Sequence, residues 1–280
     1  MNKINNIAVL KGDGVGPEVI AQTIKVLDTI KEKYGHKWSY TYADIGAVAI
    51  DNHGSPFPPS TYEACVEADA ILMGAIGNPK YDNDPSAKVR PEQGLLTMRK
   101  ALGLFSNIRP IRVHPRLASM SPVKEEVLKD VDFVVFRELT GGIYFGKKEK
   151  KADYASDLCS YSRSEIERVA VLAYQMAQSR KGKLTLVDKA NVLESSRLWR
   201  DVVQKMSADY PDVTTEYLFV DNAAMQLIIN PRQFDVVLCS NLFGDIISDE
   251  ASVLSGSIGM LPSASRGTKH ALYEPVHGLR

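Results

Sequence analysis

Short apolar, β-branched runs alternate along the chain with longer stretches whose apolar positions fall three and four apart. Runs at residues 6–10, 39–45, 70–75, 133–136, 184–187, 216–220 and 234–239 predict strands. The clearest helix covers 164–179, with Ile166, Val169, Ala170, Ala173, Met176 and Ala177 on one face. Ser162 and Glu165 form an S-x-x-E capping box in front of it. Strand–helix alternation of this kind predicts an α/β fold with a largely parallel sheet. No internal repeat, low-complexity tract or Gly/Ser linker marks a domain boundary.

One stretch breaks the rhythm. Residues 141–161, GGIYFGKKEKKADYASDLCSY, carry a dense charge run between two less polar segments. A solvated hairpin tip would read this way. So would a projecting arm that pairs with another subunit, because an unsupported two-stranded hairpin is marginal in water.

Composition narrows the class. At 280 residues the chain is long enough for about two domains, or one large one, with a core that needs no disulfide or metal staple. Lys+Arg and Asp+Glu are both 34, which argues against nucleic-acid or acidic-membrane binding driven by a basic surplus. The three cysteines, Cys65, Cys159 and Cys239, are far apart and read as reduced thiols in core packing. No apolar run reaches the roughly 18 residues of a membrane span, and the start lacks a signal-peptide core. The expectation is a soluble cytoplasmic protein.

Residues 11–18, KGDGVGPE, follow a predicted strand and precede a predicted helix. The spacing is not the G-x-G-x-x-G dinucleotide fingerprint, since Pro17 follows Gly16 where that pattern fails. A tight strand-to-helix turn explains the glycines, with Pro17 opening the helix and Glu18 set against its dipole.

The most informative segment is NLFGDIISDEAS at 241–252. Asp245 and Asp249 stand four apart, so on a helix their carboxylates share a face flanked by Leu242, Phe243, Ile246 and Ile247. Such a pair calls for a counter-cation, and oxygen ligands suit Mg²⁺ or Mn²⁺, with Asp221 as a candidate third ligand. A surface pair plus an N-cap aspartate would have the same spacing. Arg99, Arg109 and Arg137 sit in apolar or turn settings, where a specific anionic partner is the rule. Each could serve a structural salt bridge; three beside a cation site suggest a polycarboxylate substrate. Lys189 follows a strand and could act as a general base if nearby positive charges depress its pKa. A plain surface lysine is the other reading.

Taken together, GDGVGPE, PEQGLLTMRK, NIRP, RELTGGIYFG, VDKANVLE, VDNAAMQL, NLFGDIISDEAS, GSIGMLPSAS and YEPVHG span nearly the whole chain. They resemble the metal-dependent β-decarboxylating dehydrogenases of hydroxy acids, the isocitrate/isopropylmalate dehydrogenase family, and within it the isopropylmalate branch. The resemblance implies a two-domain α/β fold, not Rossmann, with a cleft between the domains. The first domain would hold residues 1–103 and 256–280, the second 104–255 with arm 141–161 interlocking a homodimer. It implies that Arg99, Arg109 and Arg137 hold the substrate carboxylates. Asp221, Asp245 and Asp249 would ligate Mg²⁺ or Mn²⁺, with Asp221 and Lys189 supplied by the other subunit and Asp221 also beside the substrate. Tyr144 would protonate the carbon left by decarboxylation, and Lys189 would assist loss of the hydroxyl proton. Glu92 and Asn191 would lie near the nicotinamide of NAD, with Gly77, Glu274, His277 and Gly278 also at the cofactor.

Leu95 and Leu96, with Val192 as a further wall, form an apolar patch where isocitrate enzymes carry polar groups. Apolar walls discriminate at about 1–3 kcal/mol per misplaced methylene. The implied reaction is oxidative decarboxylation of 3-isopropylmalate to 4-methyl-2-oxopentanoate with reduction of NAD, in leucine biosynthesis. Tartrate, another 3-alkylmalate or isocitrate are the alternative substrates, and an inactive remnant that only folds and dimerises is the alternative of another class. The family continues beyond the HG at 277–278, and Leu279 departs from its expected serine. A shortened first domain is therefore expected, with weak NAD binding, poor turnover, and Ile71, Leu72 and Met73 less protected.

Overall fold

The computed structural model describes residues 5–82 and 89–278. Leu279 lies outside the described residues. The chain divides into two compact units, one running to Leu104 and resuming at Pro262, the other Phe105–Leu261. The second crossing point thus falls beyond the expected 256. The intervening turn belongs with the second unit, where a Cβ on Gly256 would stand 2.5 Å from Leu117 O.

The first unit opens with β1 (Asn5–Gly12), α1 (Gly16–Tyr34), β2 (Trp38–Ala43), α2 (Ala47–His53), α3 (Pro59–Glu67), β3 (Ala70–Ala75), α4 (Pro79–Asp82) and α5 (Pro91–Ala101). The second unit holds β4 (Ser106–Arg112), α6 (Glu125–Leu128), β5 (Asp132–Glu138), β6 (Lys148–Lys150), β7 (Ala155–Asp157), α7 (Arg163–Gln178), β8 (Lys183–Asp188), α8 (Glu194–Met206), β9 (Thr214–Phe219), α9 (Val220–Ile229), β10 (Val236–Cys239) and α10 (Asn241–Ser252). The chain then returns to the first unit with β11 (Pro262–Arg266) and β12 (Ala271–Pro275).

In the first unit the strand order is β2-β1-β3-β12-β11, parallel except for the β11–β12 pair. In the second it is β4-β5-β10-β8-β9, parallel except for β4–β5. The α/β expectation therefore stands, with one antiparallel pairing within each of these two five-strand runs.

The glycine loop is explained by packing against β3. A Cβ on Gly12 would lie 2.0 Å from Ala75 O, and one on Gly16 would lie 2.6 Å from Ala75 N. Only glycine permits that approach. Helix α1 begins at Gly16, so Pro17 is its second residue and not its first. Between them Asp13, 5% exposed, accepts from the backbone N–H groups of Ala47, Val48 and Gly77 at 2.8, 2.9 and 3.0 Å. One carboxylate so caps α2 and ties it to the end of β3, favoured by the helix dipole.

Ile71 and Met73 are buried, contrary to the expected poor protection, because they face a cluster with Ile45, Cys65 and Met98. Leu72 points to the opposite face, by strand alternation, and is half-buried. In the second unit α7 carries the predicted capping box, with Ser162 N–H donating to Glu165 Oε2 at 2.7 Å. Its apolar face packs with Trp199, Val202, Leu186 and Leu238. Residues 148–157 form the expected hairpin, β6 antiparallel to β7. Cys65 and Cys239 are buried as expected, but Cys159 is exposed beside the hairpin, where no core reaches. Among the described residues no helix is long and apolar enough to cross a membrane.

Candidate active site

In the second unit, α10 lies against β5 and sets its two aspartates opposite two arginines. A Cβ at Gly244 would stand 2.7 Å from Arg137 Cβ, so the helix backbone rests directly on the arginine stem. Arg137, on β5 and 4% exposed, bonds Asp245 through Nη1. Arg109, on β4 and 7% exposed, donates from Nη1 to Asp249 Oδ1 at 2.8 Å and to Ser248 Oγ at 2.7 Å. Its Nε is buried without a hydrogen-bond partner. The paired carboxylates thus find guanidinium counter-ions, which is why they tolerate each other at helical spacing.

Tyr144 ends a single 3₁₀ turn, Gly142–Tyr144, and donates from its hydroxyl to Asp245 Oδ2 at 2.7 Å. Burial pushes its phenol up to about 12, the hydrogen bond and charge of Asp245 add to that, and Arg137 opposes it. The group therefore keeps its proton at neutral pH and can give it only to a strong base.

A second cluster in the same unit pairs Lys189, after β8, with Asp221, in the first turn of α9. The bond to Lys189 holds the Asp221 carboxyl below its ordinary 3.8. Lys189 Nζ is bonded to this carboxylate, and the ring of Phe219 lies 5.9 Å away. Asn191 and Val192 follow on an exposed turn, so Val192 walls nothing within this unit's described residues. Among the described residues no three acidic, histidine or cysteine side chains converge as a metal cage. Asp221 is therefore not grouped with Asp245 and Asp249 inside one chain.

The first unit holds the remaining expected residues. Arg99, in the last turn of α5, donates from Nη2 to Glu274 Oε1 on β12 at 3.0 Å, both side chains 8% exposed. Arg99 Nε has no hydrogen-bond partner although buried. Leu95 and Leu96 are half-buried on the same helix and Glu92 is exposed at its start. Gly77 takes a positive φ of 128° and its N–H is engaged by Asp13. His277 Nδ1 lies 3.1 Å from Gly278 O.

The structure so brings Arg109, Arg137, Tyr144, Asp245 and Asp249 together, brings Lys189 to Asp221, and brings Arg99 to Glu274. Sequence reasoning missed Asn241, Ser248 and Asp13. Each is a buried polar residue in an otherwise apolar or glycine-rich setting, the one signal that could have flagged them.

The family model for isocitrate/isopropylmalate dehydrogenase matches residues 6–279. A protein of Bacteroides fragilis named 3-isopropylmalate dehydrogenase is 55% identical over 272 residues, 97% of this chain and 77% of that one. The Bacillus subtilis protein of the same name is 53% identical over 279 residues, 97% of this chain and 76% of its own. The solved isocitrate dehydrogenase of Methylococcus capsulatus superposes with a TM-score of 0.86 at 30% identity, over 99% of this chain and 78% of that one. By these matches the chain belongs to the isocitrate/isopropylmalate dehydrogenase family.

Proposed function

We propose that this protein oxidises 3-isopropylmalate with NAD⁺ and releases CO₂, yielding 4-methyl-2-oxopentanoate and NADH for leucine biosynthesis in the cytoplasm. The observation that carries this reading is the constellation of buried Arg109 and Arg137 with Tyr144, Asp245 and Asp249. Two guanidinium groups suit a dicarboxylate, since each can take a planar carboxylate in bidentate fashion. Half-buried Leu95 and Leu96 beside Arg99 suit an isopropyl group.

Asp245 and Asp249 offer hard oxygen donors on one helix face, and Asp249 has 65% of its side chain exposed, a donor set that fits Mg²⁺ or Mn²⁺. We place Asp221 and Lys189 of a second copy beside them, which makes the working protein a homodimer. Exposed Met225, Ile229 and Ile246 on α9 and α10, and the unsupported β6–β7 hairpin, support that pairing. For NAD, Glu92 and Asn191 are exposed and open to a ligand, whereas Glu274 and the Gly77 amide are engaged by Arg99 and Asp13.

When bound, a cation held by Asp245 and Asp249 would supply Lewis acidity at the substrate hydroxyl, and NAD⁺ would supply the hydride acceptor. Arg109 and Arg137 hold the substrate carboxylates and orient the carbon that loses CO₂. Lys189, paired with Asp221, assists removal of the hydroxyl proton. Tyr144 Oη retains its proton through oxidation and delivers it to the carbon left after CO₂ departs.

The test compares turnover of 3-isopropylmalate and isocitrate with NAD⁺, with and without EDTA. Preference for isocitrate, or unchanged rates after chelation, defeats the reading. A mixture of Lys189→Met and Asp245→Asn chains should regain activity that neither has alone, because one of the two sites in a hybrid dimer is intact. No recovery after subunit exchange defeats the shared site.

A further inference from the structure

The buried polar groups around the first turn of α10 form a connected network whose junction is Asn241. This residue opens the helix and is 1% exposed. Its Oδ1 accepts from two nitrogens of Arg137, Nε at 3.1 Å and Nη2 at 2.9 Å. Its Nδ2 donates to the carbonyl of Gly141 at 3.1 Å. Its backbone N–H donates to Tyr161 Oη at 2.9 Å. One residue so joins an edge of the Arg137 guanidinium, the loop entering the Tyr144 turn, and the start of the helix that bears Asp245 and Asp249.

The loop is gripped from its other side as well. Glu138, fully buried, accepts from Thr140 N–H at 2.9 Å and Gly141 N–H at 2.7 Å. Gly141 thus has its N–H held by Glu138 and its C=O held by Asn241. Gly142 follows at φ 72°, where a Cβ would stand 2.2 Å from Tyr161 Oη. Two residues later the Tyr144 hydroxyl reaches Asp245. With the Nε/Nη2 edge of Arg137 taken by the amide, Nη1 is the nitrogen turned to Asp245.

We propose that Asn241 is a positioning residue, which sets the Arg137 fork and the Tyr144 loop in one fixed relation to the α10 carboxylates. It touches no reacting atom, and its catalytic consequence rests on the roles given to Arg137 and Tyr144 above. The side-chain chemistry is specific. An amide supplies an acceptor for the guanidinium and a donor for the carbonyl; a carboxylate would keep the first and oppose the second; a methyl supplies neither.

Asn241→Ala and Asn241→Asp test this by unfolding temperature, by hydrogen exchange of the amides at 141–146, and by steady-state kinetics with 3-isopropylmalate. Both variants should stay folded, with loop exchange and the KM for 3-isopropylmalate each raised about 10-fold or more, as expected on losing a hydrogen bond to a charged or buried group. The KM for NAD should not move, and kcat should fall. A lowered unfolding temperature with KM and exchange as in wild type assigns a merely structural role and overturns the proposal. If the alanine variant fails to fold, the isosteric aspartate variant decides, and its own loss of folding also overturns the proposal. If wild type does not turn over 3-isopropylmalate, the substrate reading falls, and the exchange rates alone sustain or overturn the role of Asn241.

Discussion

Gly244→Ala sets two opposing effects against each other at the point where α10 meets β5. The new Cβ would lie 2.7 Å from both Cβ and Cγ of Arg137. Carbon atoms in contact sit about 3.5–4.0 Å apart, so the helix must lift by roughly 1 Å or the arginine stem must yield. Neither atom is the far end of a flexible side chain, and Arg137 is held at its tip by Asn241 and Asp245. Helix propensity alone favours alanine by about 1 kcal/mol. Overpacking a tight core contact costs about 1–3 kcal/mol, and stretching the guanidinium hydrogen bonds adds to that. The expected net is a loss of about 1–2 kcal/mol in urea unfolding followed by circular dichroism. Because the lift moves Asp245 relative to Arg137, kcat/KM should drop by about 100-fold, more than the stability change would suggest. A variant as stable as wild type, or more so, would mean that propensity wins and the close approach is not what places α10.

Three further outcomes follow from other contacts. Tyr161→Phe keeps the edge-on contact with Trp199 but leaves the Asn241 N–H without its acceptor. Equilibrium denaturation should show a loss of about 1–3 kcal/mol, and no measurable loss would mean water takes the hydroxyl's place. Ser162→Ala removes the N-cap of α7 and should cost about 1 kcal/mol, with Ser162→Asp close to wild type; equal losses in both would contradict the capping geometry. For Asp221 the folded pKa lies below the ordinary 3.8, so the stability from its pairing is present above pH 3.8 and fades as pH falls through the lower folded value. Lys189→Met should return the Asp221 carboxyl toward 3.8 in an NMR titration, and an unchanged titration would show that the pair does not form in solution.

Strands and helices with strong periodicity were readable from sequence. Residues 70–75 match β3 as observed, and α7 begins one residue before the expected 164 behind its capping box. Strands β4, β11 and β12 were not anticipated. Their sequences, SNIRPIR, PSASR and ALYEP, are short, polar or interrupted by proline, and they form because neighbours supply the pairing. The chemistry of the site was legible as residue types: arginines in apolar settings and carboxylates four apart. Their pairing was not, because Arg109 meets Asp249 from 140 positions away and Arg99 meets Glu274 from 175. Helical spacing puts two aspartates on one face; only the packing of α10 across β4 and β5 decides which guanidinium faces which. The role of Asn241 is invisible for the same reason, since both of its side-chain partners lie about a hundred residues upstream.

The mutual pairing of the two arginines with the two α10 aspartates sets these groups in competition with the proposed ligands. Under the proposed function, each guanidinium competes for one oxygen of a carboxylate that would hold a cation, and each carboxylate competes for a guanidinium that would hold an anionic ligand. A cation arriving alone would weaken the arginine contacts, and a dicarboxylate arriving alone would weaken the aspartate contacts. Arriving together, each ligand accepts the group the other releases, and no charge is left without a partner. The energetic consequence is reciprocal: whatever factor the metal contributes to dicarboxylate affinity, the dicarboxylate returns to the metal. Ligands of opposite sign would therefore favour each other's binding over that of either kind alone.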